Sequence, residues 1–155
     1  MNKESTISIL TNLLQRHEDA ARKYREATAM TEDRGLKSFL ASLADYREGL
    51  YQENRRWLED MPPSPAPISV SARSYFHKNW ESIREALMLE KQAKIAEACR
   101  RSEEQISEYY REALGQEGIP LPLHNNLEAQ HQKVLGMLRK AERMEKVPAQ
   151  RDRPL

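Results

Sequence analysis

The sequence predicts an all-α protein, a four-helix bundle of two antiparallel helical hairpins joined by a long crossover that carries an extra short helix. Three observations predict it. Apolar residues recur at spacings of three and four along most of the chain, which places them on one face of a helix. Glycine and phenylalanine are scarce, at 5 and 2 of 155 residues, while charged residues make up 32% and hydrophobic residues 39%. Prolines cluster where the period breaks, as their missing N–H and fixed φ require. A chain of 155 residues suits one domain. That domain is read as 1–146, with 61–71 a proline-rich connector inside it and 147–155 a disordered C-terminal tail.

Over residues 4–30, Ile7, Leu10, Leu13, Leu14, Ala20, Ala21, Tyr24 and Ala27 form one stripe, with Ser5 or Thr6 placed to cap its start. Thr31-Glu32-Asp33-Arg34-Gly35 breaks it. A second stripe over about 34–59 carries Leu36, Phe39, Leu40, Leu43, Tyr46, Leu50, Trp57 and Leu58. So short a link makes the pair an antiparallel hairpin. Residues 61–67, MPPSPAP, run extended as a stiff spacer and lack the internal basic residue that would suit an SH3-type ligand. A third stripe, over about 72–89, holds Phe76, Trp80, Ile83 and Leu87 and stops where Glu90, Lys91 and Lys94 fall on it. A displaced stripe of Ile95, Cys99, Ile106, Tyr110 and Ala113 or Leu114 marks a helix over about 92–115, either separate from its predecessor or continuous with it through a kink. GQEGIPLPL, 115–123, then supplies a glycine C-cap signal and two prolines. Leu127, His131, Val134, Leu135, Leu138 and Ala141 mark the last helix.

The link from Asp60 to Lys91 decides the topology. At about 3.1 Å per residue where extended and about 1.5 Å where helical, it is long enough to run the height of a bundle. A simple up-down-up-down arrangement needs only a short loop there, so the spare length favours the crossover. Gly49 and Gly136 fall on outward faces inside helices, where glycine costs about 1 kcal/mol relative to alanine. They read as places where another helix or subunit comes close.

Bulk properties exclude more than they assign. Lys plus Arg number 25 against 24 Asp plus Glu, a net charge of +1, so no overall field gathers nucleic acid or an anionic bilayer. No stretch approaches the roughly 20 apolar residues of a membrane span, and the first residues lack an apolar run of signal-peptide length. Cys99 stands alone, which excludes an internal disulfide and a multi-thiolate zinc site and fits a reducing compartment. Expected from this are a cytoplasmic location, no nucleic-acid or membrane partner, and a homo-oligomer, a dimer, with room for a further protein partner. No glycine-rich phosphate loop or G-x-S-x-G elbow occurs.

Chemistry must come from polar residues that the helical period turns inward, and these are His17, Arg47, Glu103 and His131. Counted from the turns near 33 and 117, one such residue per helix meets at mid-height. In one reading they form a hydrogen-bonded structural layer in which Glu103 neutralises Arg47 while His17 and His131 complete the network. In the other, Glu103, Glu128, His131 and His17 or Glu18 hold iron or manganese, as carboxylates and Glu-x-x-His pairs do in bundles. Only Glu128-Ala-Gln-His131 provides such a pair, and one occurrence is near the chance expectation. On the second helix Glu48 points away, Tyr51 stands where the histidine would fall, and Arg47 takes the inward position. An always-charged guanidinium repels a dication and pairs well with a carboxylate. The structural layer is therefore the favoured reading. His77 and His124 sit near helix starts and face solvent, Cys99 is an inert core thiol, and the tyrosines and methionines are packing residues. A groove under the 72–89 helix, with Phe76 and Trp80, is a third and weaker idea for lipid or peptide.

DAARKYREA on the first helix, LASLADYREGL with Arg47 on the second, FHKNWESIREAL around Trp80, and ACRRSEEQISEYYREAL with Glu103 and Tyr110 together resemble an uncharacterised bacterial family of ferritin-like domains, over Ile7 to about Glu145. The resemblance implies a ferritin-like four-helix bundle of the ferritin and rubrerythrin type, with a carboxylate metal site as the ancestral possibility. Carried over residue by residue, the superfamily's metal motif meets Glu128, His131 and Glu103, with no match on the second helix. The expectation is a non-enzymatic or vestigial stress-related or interaction module with a central polar layer and no catalytic residue. The alternative is a di-iron or di-manganese oxidoreductase acting on oxygen or peroxide.

Overall fold

Apolar stripes at helical spacing leave water by facing one another, and five helices do so among the described residues, 3–61 and 72–146 of the computed structural model. They are α1 (Lys3–Thr28), α2 (Arg34–Glu59), α3 (Ala72–Met88), α4 (Gln92–Leu114) and α5 (Leu121–Glu145), with no strand among the described residues. The expectations for connector residues 62–71 and for the tail 147–155 lie outside the described residues.

Local chemistry sets the boundaries. Because α1 begins at Lys3, Ser5 and Thr6 lie inside the helix rather than at its cap. At α2 the cap is Asp33, in extended backbone at φ −70°, ψ 121°, whose carboxylate accepts from the Leu36 N–H at 2.9 Å. Gly35 thus belongs to the first turn of α2 and is not the breaker. The stretch 72–114 is two helices, broken at Leu89-Glu90-Lys91, with Glu90 in the left-handed region at φ 55°. Gly115 does cap α4, but in right-handed backbone at φ −81°, and the left-handed glycine is Gly118 at φ 83°. Pro122 sits in the first turn of α5, where its missing N–H costs no helical bond.

Side-chain bonds between distant helices give their directions. His17 meets Tyr110 and Tyr24 meets Glu103, so α1 and α4 are antiparallel. Ser42 meets Lys140, Asn54 meets Gln130 and Trp57 meets Asn126, so α2 and α5 are antiparallel too. Ser107 with His131 and Arg100 with Glu145 show the same for α4 and α5. Hence α1 and α5 point one way and α2 and α4 the other, and the link between α2 and α4 must return along the bundle. In that link α3 packs on α1 and α4. Phe76 stands edge-on to Tyr24 at 5.5 Å, and Trp80 and Phe76 are buried in the core, so most of their bulk is spent on packing.

The apolar core falls into two clusters. One holds Tyr24, Phe39, Leu40, Leu43, Ile83 and Ile95, the other Leu10, Leu13, Leu50, Ile106, Leu123 and Leu127. Between them lies a band of polar side chains at mid-height. A Cβ added at Gly49 meets nothing within 4 Å, and at Gly136 only the Arg139 side chain at 4.0 Å, so among the described residues no other helix uses either opening. Removing the α2 cap by Asp33→Ala is expected to cost about 1 kcal/mol, and Asp33→Asn much less. Urea unfolding of the three proteins checks this, and equal midpoints would sink the capping assignment.

Candidate functional site: a closed polar layer around Arg47

Arg47 follows Leu43 and precedes Leu50 on the buried face of α2, so the helical period delivers its guanidinium to the middle of the bundle. Opposite, α4 brings Glu103 inward between Cys99 and Ile106. Arg47 is 2% exposed and Glu103 0%. Arg47 Nε and Nη2 both donate to Glu103 Oε2, at 3.2 and 3.0 Å. Tyr24 OH donates to the same oxygen at 2.6 Å, and Tyr46 OH donates to Oε1. Ser102 Oγ stands 3.0 Å from the Tyr24 hydroxyl. The carboxylate therefore accepts four bonds from three residues on two helices.

From Arg47 a second chain of bonds runs across the bundle. Its Nη1 lies 3.1 Å from His17 Nδ1 and, having only donors to offer, requires that nitrogen to be unprotonated. His17 Nε2–H then donates to Tyr110 OH at 2.8 Å, and Tyr110 donates to Gln130 Oε1 at 2.6 Å. Gln130 joins Asn54 and Asn126, and Asn126 Oδ1 accepts from Trp57 Nε1 at 2.9 Å. In this way α1, α2, α4 and α5 are tied through one network. His131 is joined by packing: its ring stacks on Tyr110 at 5.8 Å between centroids, and its Nε2 is 2.9 Å from Ser107 Oγ.

Burial and the ion pair set the protonation states. Burial pushes the His17 pKa well below its usual value, with Arg47 and then Arg16 adding to the effect. Burial raises the Tyr24 and Tyr46 hydroxyls well above theirs, and the Glu103 charge raises them further, so both stay protonated donors. Desolvation works against the charge on Arg47, but Glu103 outweighs it, helped by Tyr46 and Tyr24, and its pKa rises. Cys99, buried and near Glu103, is pushed up and is a poor nucleophile. His131 is lowered by burial and then by Arg111, against a rise from Glu128.

Of the four residues read as a layer, His17, Arg47 and Glu103 are directly bonded and His131 is one ring away. The ligands proposed for iron or manganese are not brought together. Glu128 and Glu18 are exposed, Glu103 is occupied by four donors, and Arg47 fills the centre. Among the described residues no group of three or more His, Cys, Asp or Glu is disposed to hold a metal. The donor set as placed does not fit such a centre. His77 is exposed, with Glu81 3.5 Å away. Sequence reasoning missed Tyr24, Tyr46, Tyr110, Gln130 and Asn54. For the tyrosines the signal was present, since a tyrosine on an apolar stripe carries a hydroxyl that must find a partner when buried.

The lowered His17 pKa has a definite sign. The unfolded chain takes up a proton near pH 6.5 that the folded site refuses, so this contribution to stability is complete above about pH 6.5 and is lost as pH falls below it toward the folded value. Urea midpoints should drop between about pH 7.5 and pH 5, and the drop should shrink in His17→Gln. Midpoints that do not move over that range would contradict the neutral, Arg47-facing histidine.

Residues 5–116 match the family model described as Domain of unknown function (DUF2383). No curated protein and no solved structure matches the chain. The matched span covers α1 through α4, including His17, Tyr24, Tyr46, Arg47, Glu103 and Tyr110, whereas Gln130 and His131 lie beyond it on α5. Since the match takes in well over half of the sequence, the chain belongs to the DUF2383 family.

Proposed function

We propose that the chain is a ferritin-like bundle in which a hydrogen-bonded layer stands where a metal centre would sit, and that it serves as a non-catalytic interaction module in the cytoplasm, self-associating through its outer helix faces. The parallel course of α2 and α4, with α3 in the link between them, supports the ferritin-like reading. The Arg47–Glu103 pair carries the rest, because it places a permanent cation at the bundle centre and uses up the carboxylate best placed to bind a metal. No helix among the described residues is long and apolar enough to cross a membrane. The open surfaces at Gly49 and Gly136 suit close contact with a second copy.

Metal analysis tests this reading. Protein purified without chelator should carry far less than one iron or manganese per chain, and Glu128→Ala with His131→Ala should leave that content unchanged. Near-stoichiometric metal, lost in the double variant, would overturn it in favour of an oxidoreductase that uses oxygen or peroxide.

A further inference from the structure

Arginine carries five N–H groups, and the bonds of Arg47 account for three of them, from Nε and Nη2 to Glu103 and from Nη1 to His17. Two remain without an acceptor among the described residues, on a guanidinium so deeply buried that an unmet charged donor is costly. Arg47 also lines a cavity of about 20 Å³, shared with residues of α1, α3 and α4. Ser102, buried like Arg47, lines it too, and Phe76 and Ile106 give it apolar walls. At its outer edge are Arg16, Asn79 and Gln105, with Asn79 Nδ2 donating to Gln105 Oε1 at 2.7 Å. Arg16 is fixed in place by Asn12, whose Oδ1 accepts from its Nε at 2.7 Å, and its guanidinium lies over the Tyr109 ring.

Size and charge select the occupant. A single water needs about 10–15 Å³, so the cavity holds one particle of roughly that size and is too small for sulfate or phosphate. Two cations line it and no carboxylate does, and the carboxylate that balances Arg47 already accepts four bonds. Tyr24 gives its proton to Glu103, so the Ser102 hydroxyl, 3.0 Å from Tyr24, is free to turn its own proton toward the cavity. We propose that this cavity is a binding site for one monatomic anion, chloride, held by the two remaining Arg47 N–H groups and by Ser102 Oγ–H, with Arg16 adding positive potential at the outer edge. A water fits the same space, but it brings no charge to a lining that holds two cations and no anion.

Bromide is the probe that separates the ion from water. Crystals of the full chain grown in sodium bromide should show an anomalous peak at the bromine edge inside the cavity, in contact with Arg47 and Ser102. Density there without anomalous signal is water and would overturn the proposal, as would a cavity with no density. Urea midpoints in sodium chloride and in sodium sulfate of equal ionic strength give a second readout in solution. Salt exclusion alone favours sulfate in every variant alike, whereas an occupied site adds a chloride-specific rise. Ser102→Thr places a methyl in the cavity and keeps a hydroxyl for Tyr24, and Arg16→Gln removes the outer cation. In both, the chloride midpoint should fall relative to the sulfate midpoint by comparison with the unsubstituted chain. The same chloride-to-sulfate difference in all three proteins would contradict the site.

Discussion

The buried pairing of Arg47 with Glu103 is the constraint on which the rest of this structure depends. Removing a guanidinium and a carboxylate from water costs several kcal/mol per ion, and their mutual attraction offsets that only when the remaining hydrogen-bonding capacity is also satisfied. Here it is met for Glu103 by Tyr24 and Tyr46 and in part for Arg47 by His17. Tyr24 and His17 come from α1, and Tyr46 from α2 beside Arg47. Apolar stripes alone would tolerate α1, α2 and α4 sliding past one another by a turn, because leucine against leucine is nearly indifferent to such a shift. A turn's slip here would leave an ion unpaired in the core, so the pair selects one alignment.

The division of the core follows from the same constraint. Two apolar clusters lie on either side of the polar band, and Tyr46 packs against both while its hydroxyl reaches Glu103. The fourth helix of the bundle, α5, is attached differently. It reaches the layer through Tyr110, which takes a bond from His17, gives one to Gln130 and stacks on His131. Every link in that relay is neutral, so charge is confined to Arg47 and Glu103 and the outer part of the layer only continues the hydrogen bonding. In a centre built this way the acceptors are spent on its own donors, which is why the functional reading turns to the outer surfaces.

Much of the fold was legible in the sequence because helical periodicity is a local signal. The bounds of α2 agree with the periodicity, and those of α3 and α4 do so to within a residue. What failed was local chemistry with more than one solution. Ser5 and Thr6 are good caps in the abstract, yet the helix starts before them, whereas Asp33 was read only as part of a breaker. Whether 72–114 bends or breaks turns on a left-handed Glu90, a conformation no pattern of apolar residues reports. At the site, inward polar residues were visible as exceptions to the stripe, and Arg47 and Glu103 stood out for that reason. The tyrosines did not, because their rings satisfy the apolar pattern and conceal the hydroxyl. Glu128 shows the opposite limit: its spacing to His131 is that of a ligand pair, but the face it lies on is exposed.

The most direct measurement is a double-mutant cycle on Arg47→Met and Glu103→Gln, read by urea unfolding. If each group is held in the core by the other, each single substitution should cost about 3–5 kcal/mol by leaving the partner unpaired. The double variant should cost far less than the sum, with a coupling of about 2–3 kcal/mol. Additive losses, with a coupling near zero, would contradict the central role assigned to the pair.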